Sequence, residues 1–96
     1  VGAGGEALSA ALVRIAAGDR RALETVYRAS APKLLGVCLR ILKDRPESED
    51  VLQEVYLTVW RRADGFDPSR GSAMAWLGTL ARNRAIDRLR ARRPQE

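Results

Sequence analysis

Apolar residues recur along this chain at three- and four-residue steps, and nowhere do they alternate with polar ones as a strand requires. Leu8, Leu12, Val13 and Ile15 predict a short helix over residues 6–17. Leu23, Val26, Tyr27, Leu34, Leu35, Cys38, Leu39 and Leu42 predict a second, from about Arg20 to Lys43. Val51, Leu52, Val55, Tyr56, Val59 and Trp60 mark the buried side of a third, from near Pro46 to about Ala63. Met74, Leu77, Ala81, Ala85 and Leu89 share one side of a fourth, from Ala73 to about Arg93.

The breaks between these stretches carry the expected chemistry. Gly18 suits a helix C-terminus, and Asp19 suits the N-cap that follows it. Pro46 fits a first helical turn, with Glu47, Glu49 and Asp50 placing acid at its positive end. Residues 64–72, Asp-Gly-Phe-Asp-Pro-Ser-Arg-Gly-Ser, read as a loop, with Ser72 capping the last helix and Pro94 ending it. Pro32 removes one backbone bond inside the second helix and predicts a kink near Ala31. Residues 1–5, Val-Gly-Ala-Gly-Gly, read as a flexible lead or vector-derived scar. Their glycines follow no strand and form no dinucleotide loop. The expected fold is all-α: four helices in one compact bundle over residues 6–93.

Composition narrows what such a bundle can do. Ninety-six residues fit one domain, and 46% hydrophobic with 30% charged residues is a globular balance. No apolar run approaches the roughly 20 residues of a membrane span, and no secretory signal opens the sequence. Cys38 is the single cysteine, so no intrachain disulfide forms and a cytoplasmic setting is expected. With no histidine, zinc sites and Ser-His or Cys-His catalysis are excluded, and no phosphate loop is present. Neither an enzyme nor a metal or cofactor site is expected.

The charge is unevenly placed. Residues 1–60 hold eight basic and eight acidic side chains, whereas residues 61–96 hold nine arginines against four acids. Six of those arginines lie between Arg82 and Arg93. Planar guanidinium donors in that number point to a polyanion, beyond what complementing one helix dipole needs. Opposite its apolar side, the fourth helix presents Trp76, Thr79, Asn83, Ile86, Asp87 and Arg90, with Arg82, Arg84, Arg88, Arg92 and Arg93 at the edges. An amide that donates and accepts, bordered by cations, is the chemistry of base reading with phosphate positioning. A solvated polar face with Asp87 paired to nearby arginines is the plainer alternative. The preceding loop groups Phe66, Asp67, Pro68, Ser69 and Arg70, able to hold an unstacked base, or to form an ordinary capped turn with Phe66 plugging the core. Trp76 either packs or offers a stacking platform.

On the third helix, Asp50, Gln53, Glu54, Leu57 and Arg61 line up beside the buried stripe as a mixed polar and apolar ridge suited to a protein partner. The order Asp50-x-x-Gln53-Glu54, Trp60, a loop with Phe66, Trp76-Leu77, then Ala81-Arg82-Asn83-Arg84-Ala85-Ile86-Asp87 resembles region 2 of bacterial sigma factors. Gly18-Asp19, Ala22-Leu23-x-x-x-Tyr27 and Ala31-Pro32-x-Leu34 fit as well. The short loop, where larger members carry an insertion, resembles the extracytoplasmic-function (ECF) group.

That resemblance implies a transcription initiation domain. Asp50, Gln53 and Glu54, with Leu57 and Arg61 on the same ridge, would dock on the clamp helices of the RNA polymerase β′ subunit. Asn83 would contact the non-template strand of the promoter −10 element, and Phe66 to Arg70 would capture a flipped base. Arg82, Arg84, Arg88 and Arg90 would hold its backbone. The resemblance also implies an anti-sigma factor as a further partner. Residues 94–96 then read as the start of a linker to a region 4 that this sequence lacks, and the missing initiator methionine as a sign of excision. A basic helical nucleic-acid module independent of polymerase is the main alternative; it leaves Gln53 and Glu54 idle. A membrane-surface helix over residues 73–93 fits less well, because its arginines wrap the helix instead of leaving a wide apolar face.

Overall fold

Three of the helices begin where a short side chain accepts a backbone N–H. The computed structural model describes residues 3–92, and within them Asp19 Oδ1 accepts from Arg21 N at 3.0 Å, Asp44 Oδ1 from Glu47 N at 2.8 Å, and Ser72 Oγ from Ala75 N at 3.0 Å. These caps start α2 (Arg20–Leu42), α3 (Arg45–Arg62) and α4 (Ala73–Ala91), behind α1 (Ala3–Ala16). Gly18, at φ +95°, turns the chain out of α1, a backbone conformation that favours glycine. Lys43 closes α2 in the left-handed region at φ 54°, its N–H bonded to the Leu39 carbonyl at 2.8 Å. Two 3-10 turns, Ala63–Gly65 and Pro68–Arg70, fill the connection to α4.

Helix α1 takes in Ala3, Gly4 and Gly5, so ordered structure begins earlier than the glycine content of the lead predicts. Val1 and Gly2, and at the other end Arg93, Pro94 and the proposed linker, lie outside the described residues. Helix α2 runs unbroken through Pro32, which leaves only the Arg28 carbonyl without its usual amide.

The core confirms the all-α bundle. Helix α2 packs against α1, α3 and α4, and α3 packs on α4. Leu12, Val26, Leu34, Cys38, Val51, Val55, Val59 and Leu77 are fully buried there. Two apolar positions behave otherwise: Val13 is 52% exposed and Tyr27 is 49% exposed. Tyr27 sits at the margin of the α2 stripe and lays its ring 4.9 Å from that of Tyr56. Ser30, absent from the apolar pattern, is fully buried. Its hydroxyl donates to the Val26 carbonyl at 2.6 Å and meets the Tyr56 hydroxyl at 2.5 Å. Burial pushes the Tyr56 phenol up to about 12 and raises the Cys38 thiol as well.

Candidate functional site

The loop and the start of α4 enclose a cleft of about 350 Å³, lined by Phe66, Asp67, Arg70, Ser72, Trp76 and Thr79 among others. Its aromatic side is a tilted pair: Phe66 and Trp76 have ring centroids 5.7 Å apart at 58°. Phe66 is only 8% exposed, so it belongs to the core and supports the cleft from beneath. Of the two readings that the sequence left open, the ring takes the one in which it plugs the core. The ring is apolar, and the adjacent helices bury it even though its backbone lies between 3-10 turns. Trp76 is half-buried: it packs on the core and also lines the cleft.

Asp67 shapes the loop. Its Oδ1 accepts from Ser69 N at 2.9 Å and Ser69 Oγ at 2.7 Å, and these bonds hold its carboxyl below the usual range. Ser69 is spent on that turn and does not line the cleft. Thr79 donates its hydroxyl to the Ala75 carbonyl at 3.0 Å and lines the opening. Arg70 is exposed at the rim.

A second groove of about 380 Å³ lies between α3 and α4. Thr58, Arg61 and Arg62 line it from α3, and Leu80, Asn83, Arg84 and Asp87 from α4. Asn83 and Asp87 are exposed, and Asp87 forms no ion pair among the described residues, contrary to the local pairing considered above. Of the arginines nearest to it in sequence, Arg84 and Arg88 turn to carboxylates of α3, and Arg90 forms no ion pair among the described residues. Arg61, expected on the protein ridge, lines this groove beside Arg62 and Arg84.

The arginines of α4 divide into two sets. Arg82 and Arg90 are exposed and form no ion pair among the described residues. Arg84, Arg88 and Arg92, each one turn from the next, reach back to α3. Arg88 Nη2 donates to Glu54 Oε2 at 2.8 Å, and its Nη1 lies 3.8 Å from Glu47 Oε2. Arg92 Nη1 is 3.1 Å from Glu47 Oε1, and its Nη2 caps the end of α2 on the Leu42 carbonyl. Arg84 Nη2 donates to Thr58 Oγ1 at 2.8 Å, with Nε 3.9 Å from Glu54 Oε1. Two of the expected contact residues are engaged within the chain itself. Arg88 is an interhelical tie in the free domain, and Glu54 is occupied from within the chain.

The rest of the α3 ridge is open. Asp50 and Gln53 are exposed, and Leu57, at 56%, is among the most exposed large apolar side chains described. Beside Gln53 runs a groove of about 420 Å³ lined by Tyr27, Ala31, Pro32, Leu35 and Leu52, with Arg45 and Glu49 at its edge. Tyr27 and Pro32 thus join this surface from α2. Helical periodicity placed Tyr27 in the core stripe, and only its neighbours in space reveal the other role.

No group of three or more potential ligands among the described residues is placed to hold a metal ion, and no described helix is long and apolar enough to cross a membrane. A family model of sigma-70 region 2 matches residues 26–95. The chain is 45% identical over 83 residues to the ECF RNA polymerase sigma factor SigK of Mycobacterium tuberculosis, covering 86% of this chain and 44% of that protein. It is also 45% identical over 84 residues to SigK of Mycolicibacterium vanbaalenii, covering 88% and 43%, and 44% identical over 84 residues to SigK of Mycobacterium ulcerans, covering 88% and 45%. The match spans less than half the length of these relatives. With its ordered motifs, its four-helix fold and these similarities, the chain belongs to the sigma-70 region 2 family, on its ECF branch.

Proposed function

We propose that this chain is the part of a transcription initiation factor that docks on the β′ clamp helices of RNA polymerase and recognises and helps to open the promoter −10 element. The observation that carries this reading is the cleft at the start of the basic helix. It has an aromatic wall, Trp76 over Phe66, and a cation at its rim, Arg70. An unstacked base needs such a surface for its face and polar groups for its edge. Asn83, one turn along α4 from Thr79, supplies an amide for base edges. Arg61, Arg62, Arg82 and Arg90 supply exposed cations for the phosphates. Pulling a base from the stack costs a few kcal/mol, so capturing the correct base and separating the strands become one event.

The polymerase surface is the α3 ridge, with Asp50, Gln53 and Leu57 open and Glu54 held by Arg88 in the free domain, widened by Tyr27 and Pro32 across the adjoining groove. A mixed ridge with an exposed leucine and an exposed tyrosine has the character of a protein interface. An anti-sigma factor would act by covering these same exposed faces. The setting for all three partners is the cytoplasm.

Binding to a β′ clamp-helix fragment tests the proposal, comparing the wild-type chain with an Asp50→Ala/Gln53→Ala variant. Both positions are exposed and lie outside the α3–α4 ion pairs, so the fold is preserved. Binding lost in the variant supports the proposal. A folded wild-type chain that does not bind leaves only a nucleic-acid module independent of polymerase.

A further inference from the structure

The charged ladder between α3 and α4 joins two surfaces with different partners. Glu54 lies next to Gln53 on the helix proposed to meet polymerase, and it holds Arg88 and Arg84 of the helix proposed to meet DNA. The side chains are only partly buried, 27% exposed for Arg88 and 39% for Glu54, so neither is beyond the reach of an outside competitor. To a guanidinium fork, a carboxylate and a phosphate offer the same kind of planar, charge-assisted acceptor. We infer that Glu54, with Glu47 behind it, stands in for phosphate inside the free domain, withholding Arg84 and Arg88 from nucleic acid until a partner engages Glu54.

The consequence is a coupling between the two surfaces, and it rests on the reading of α4 as the nucleic-acid face. A cationic group of the protein partner that takes Glu54 releases two arginines for the DNA backbone. By thermodynamic reciprocity, phosphate that takes Arg88 releases Glu54 for the protein partner. Glu47 keeps a hold on Arg92 at 3.1 Å throughout, so the helices stay tied while Arg84 and Arg88 change acceptors.

The test needs no polymerase. Binding of the 96-residue chain to a single-stranded oligonucleotide is followed across a salt series for wild type, Glu54→Gln, Glu49→Gln and Glu54→Gln/Arg88→Gln. Glu49 pairs with Arg45 inside α3 and away from α4, so Glu49→Gln reports the plain loss of one negative charge. Released arginines steepen the plot of log K against log salt by about 0.7 each on single strands. Glu54→Gln is therefore expected to steepen it by about 0.7 to 1.4, Glu49→Gln to leave it unchanged, and the double variant to give back about half or more of the gain. A slope for Glu54→Gln no steeper than that for Glu49→Gln overturns the inference and leaves the ladder as a structural tie. Failure of wild type and Glu54→Gln alike to bind at low salt rejects the nucleic-acid reading itself, and this inference with it. If Glu54→Gln does not fold, Arg88→Gln in the otherwise wild-type chain is read instead: an arginine already withheld by Glu54 leaves the slope unchanged when removed, and a slope lowered by about 0.7 overturns the inference.

Discussion

Phe66 provides the sharpest test of how the cleft is built. An exposed loop aromatic that stacks on a base is nearly free to remove, since surface substitutions usually fall within about 0.5 kcal/mol of neutral. A ring that is 8% exposed, packed against Trp76 and the core, is not. Phe→Ala in a core costs about 3 to 5 kcal/mol, and the low end applies here because the site borders an open cleft into which it can relax. For a domain of this size 1 kcal/mol corresponds to roughly 4 to 8 °C, so Phe66→Ala is expected to lower Tm by roughly 12 to 24 °C. Phe66→Leu keeps most of the buried volume and is expected to cost about 1 kcal/mol. Urea unfolding followed by far-UV circular dichroism gives the stabilities, and oligonucleotide binding is measured under conditions where each variant is folded. Folded Phe66→Leu retains binding if the ring only supports Trp76. A loss of binding in both variants, with stability changed by less than about 1 kcal/mol, refutes the placement of Phe66 in the core.

Asn83→Ala is expected to reduce the preference for one −10 sequence over a scrambled one by about 1 to 3 kcal/mol while leaving the salt slope intact. Arg90→Ala should do the reverse, weakening all sequences alike and lowering the slope by about 0.7; competition binding in a salt series separates the two, and equal weakening by Asn83→Ala on every sequence removes its base-reading role. Tyr56 predicts an alkaline limit to stability. Its phenol is raised from 10.0 to about 12, so the folded state holds the proton more tightly than the unfolded chain. The associated stability, on the order of 2 kcal/mol, is fully present below pH 10 and is lost as pH rises through about 12. Urea midpoints across that window should fall in wild type and fall less in Tyr56→Phe, and parallel curves for the two proteins contradict the assignment.

Much of this molecule was legible in its sequence wherever the signal is local. Asp19 and Ser72 act within three residues of themselves, so these caps follow from residue type, whereas Asp44, the cap of α3, was not singled out beside Pro46. Depth was harder to read than direction. Val13 and Tyr27 lie close to the apolar stripes, yet the neighbouring helices do not extend over them, and periodicity carries no information about where a neighbour ends. Phe66 was placed in a loop correctly, but loop backbones have no period from which an inward ring can be deduced. Ser30 stood outside the apolar pattern, and nothing nearby in sequence signals its burial, because its partner Tyr56 stands 26 residues away. The division of the arginines was hidden for the same reason. Their number along α4 is plain in the sequence, whereas the partners that divide them, Glu47 and Glu54, lie on another helix.

Cys38 carries a practical consequence of the core. Its sulfur is shut away at the centre of the bundle, burial holds it in the unreactive protonated form, and no second thiol in the chain competes with it. An alkylating reagent added to the native protein can therefore react only during the rare moments when the helices part. The rate of that single modification is a built-in clock for opening. Read with and without promoter DNA or polymerase fragments, it would report how firmly each partner holds the bundle shut, without any added label or engineered residue.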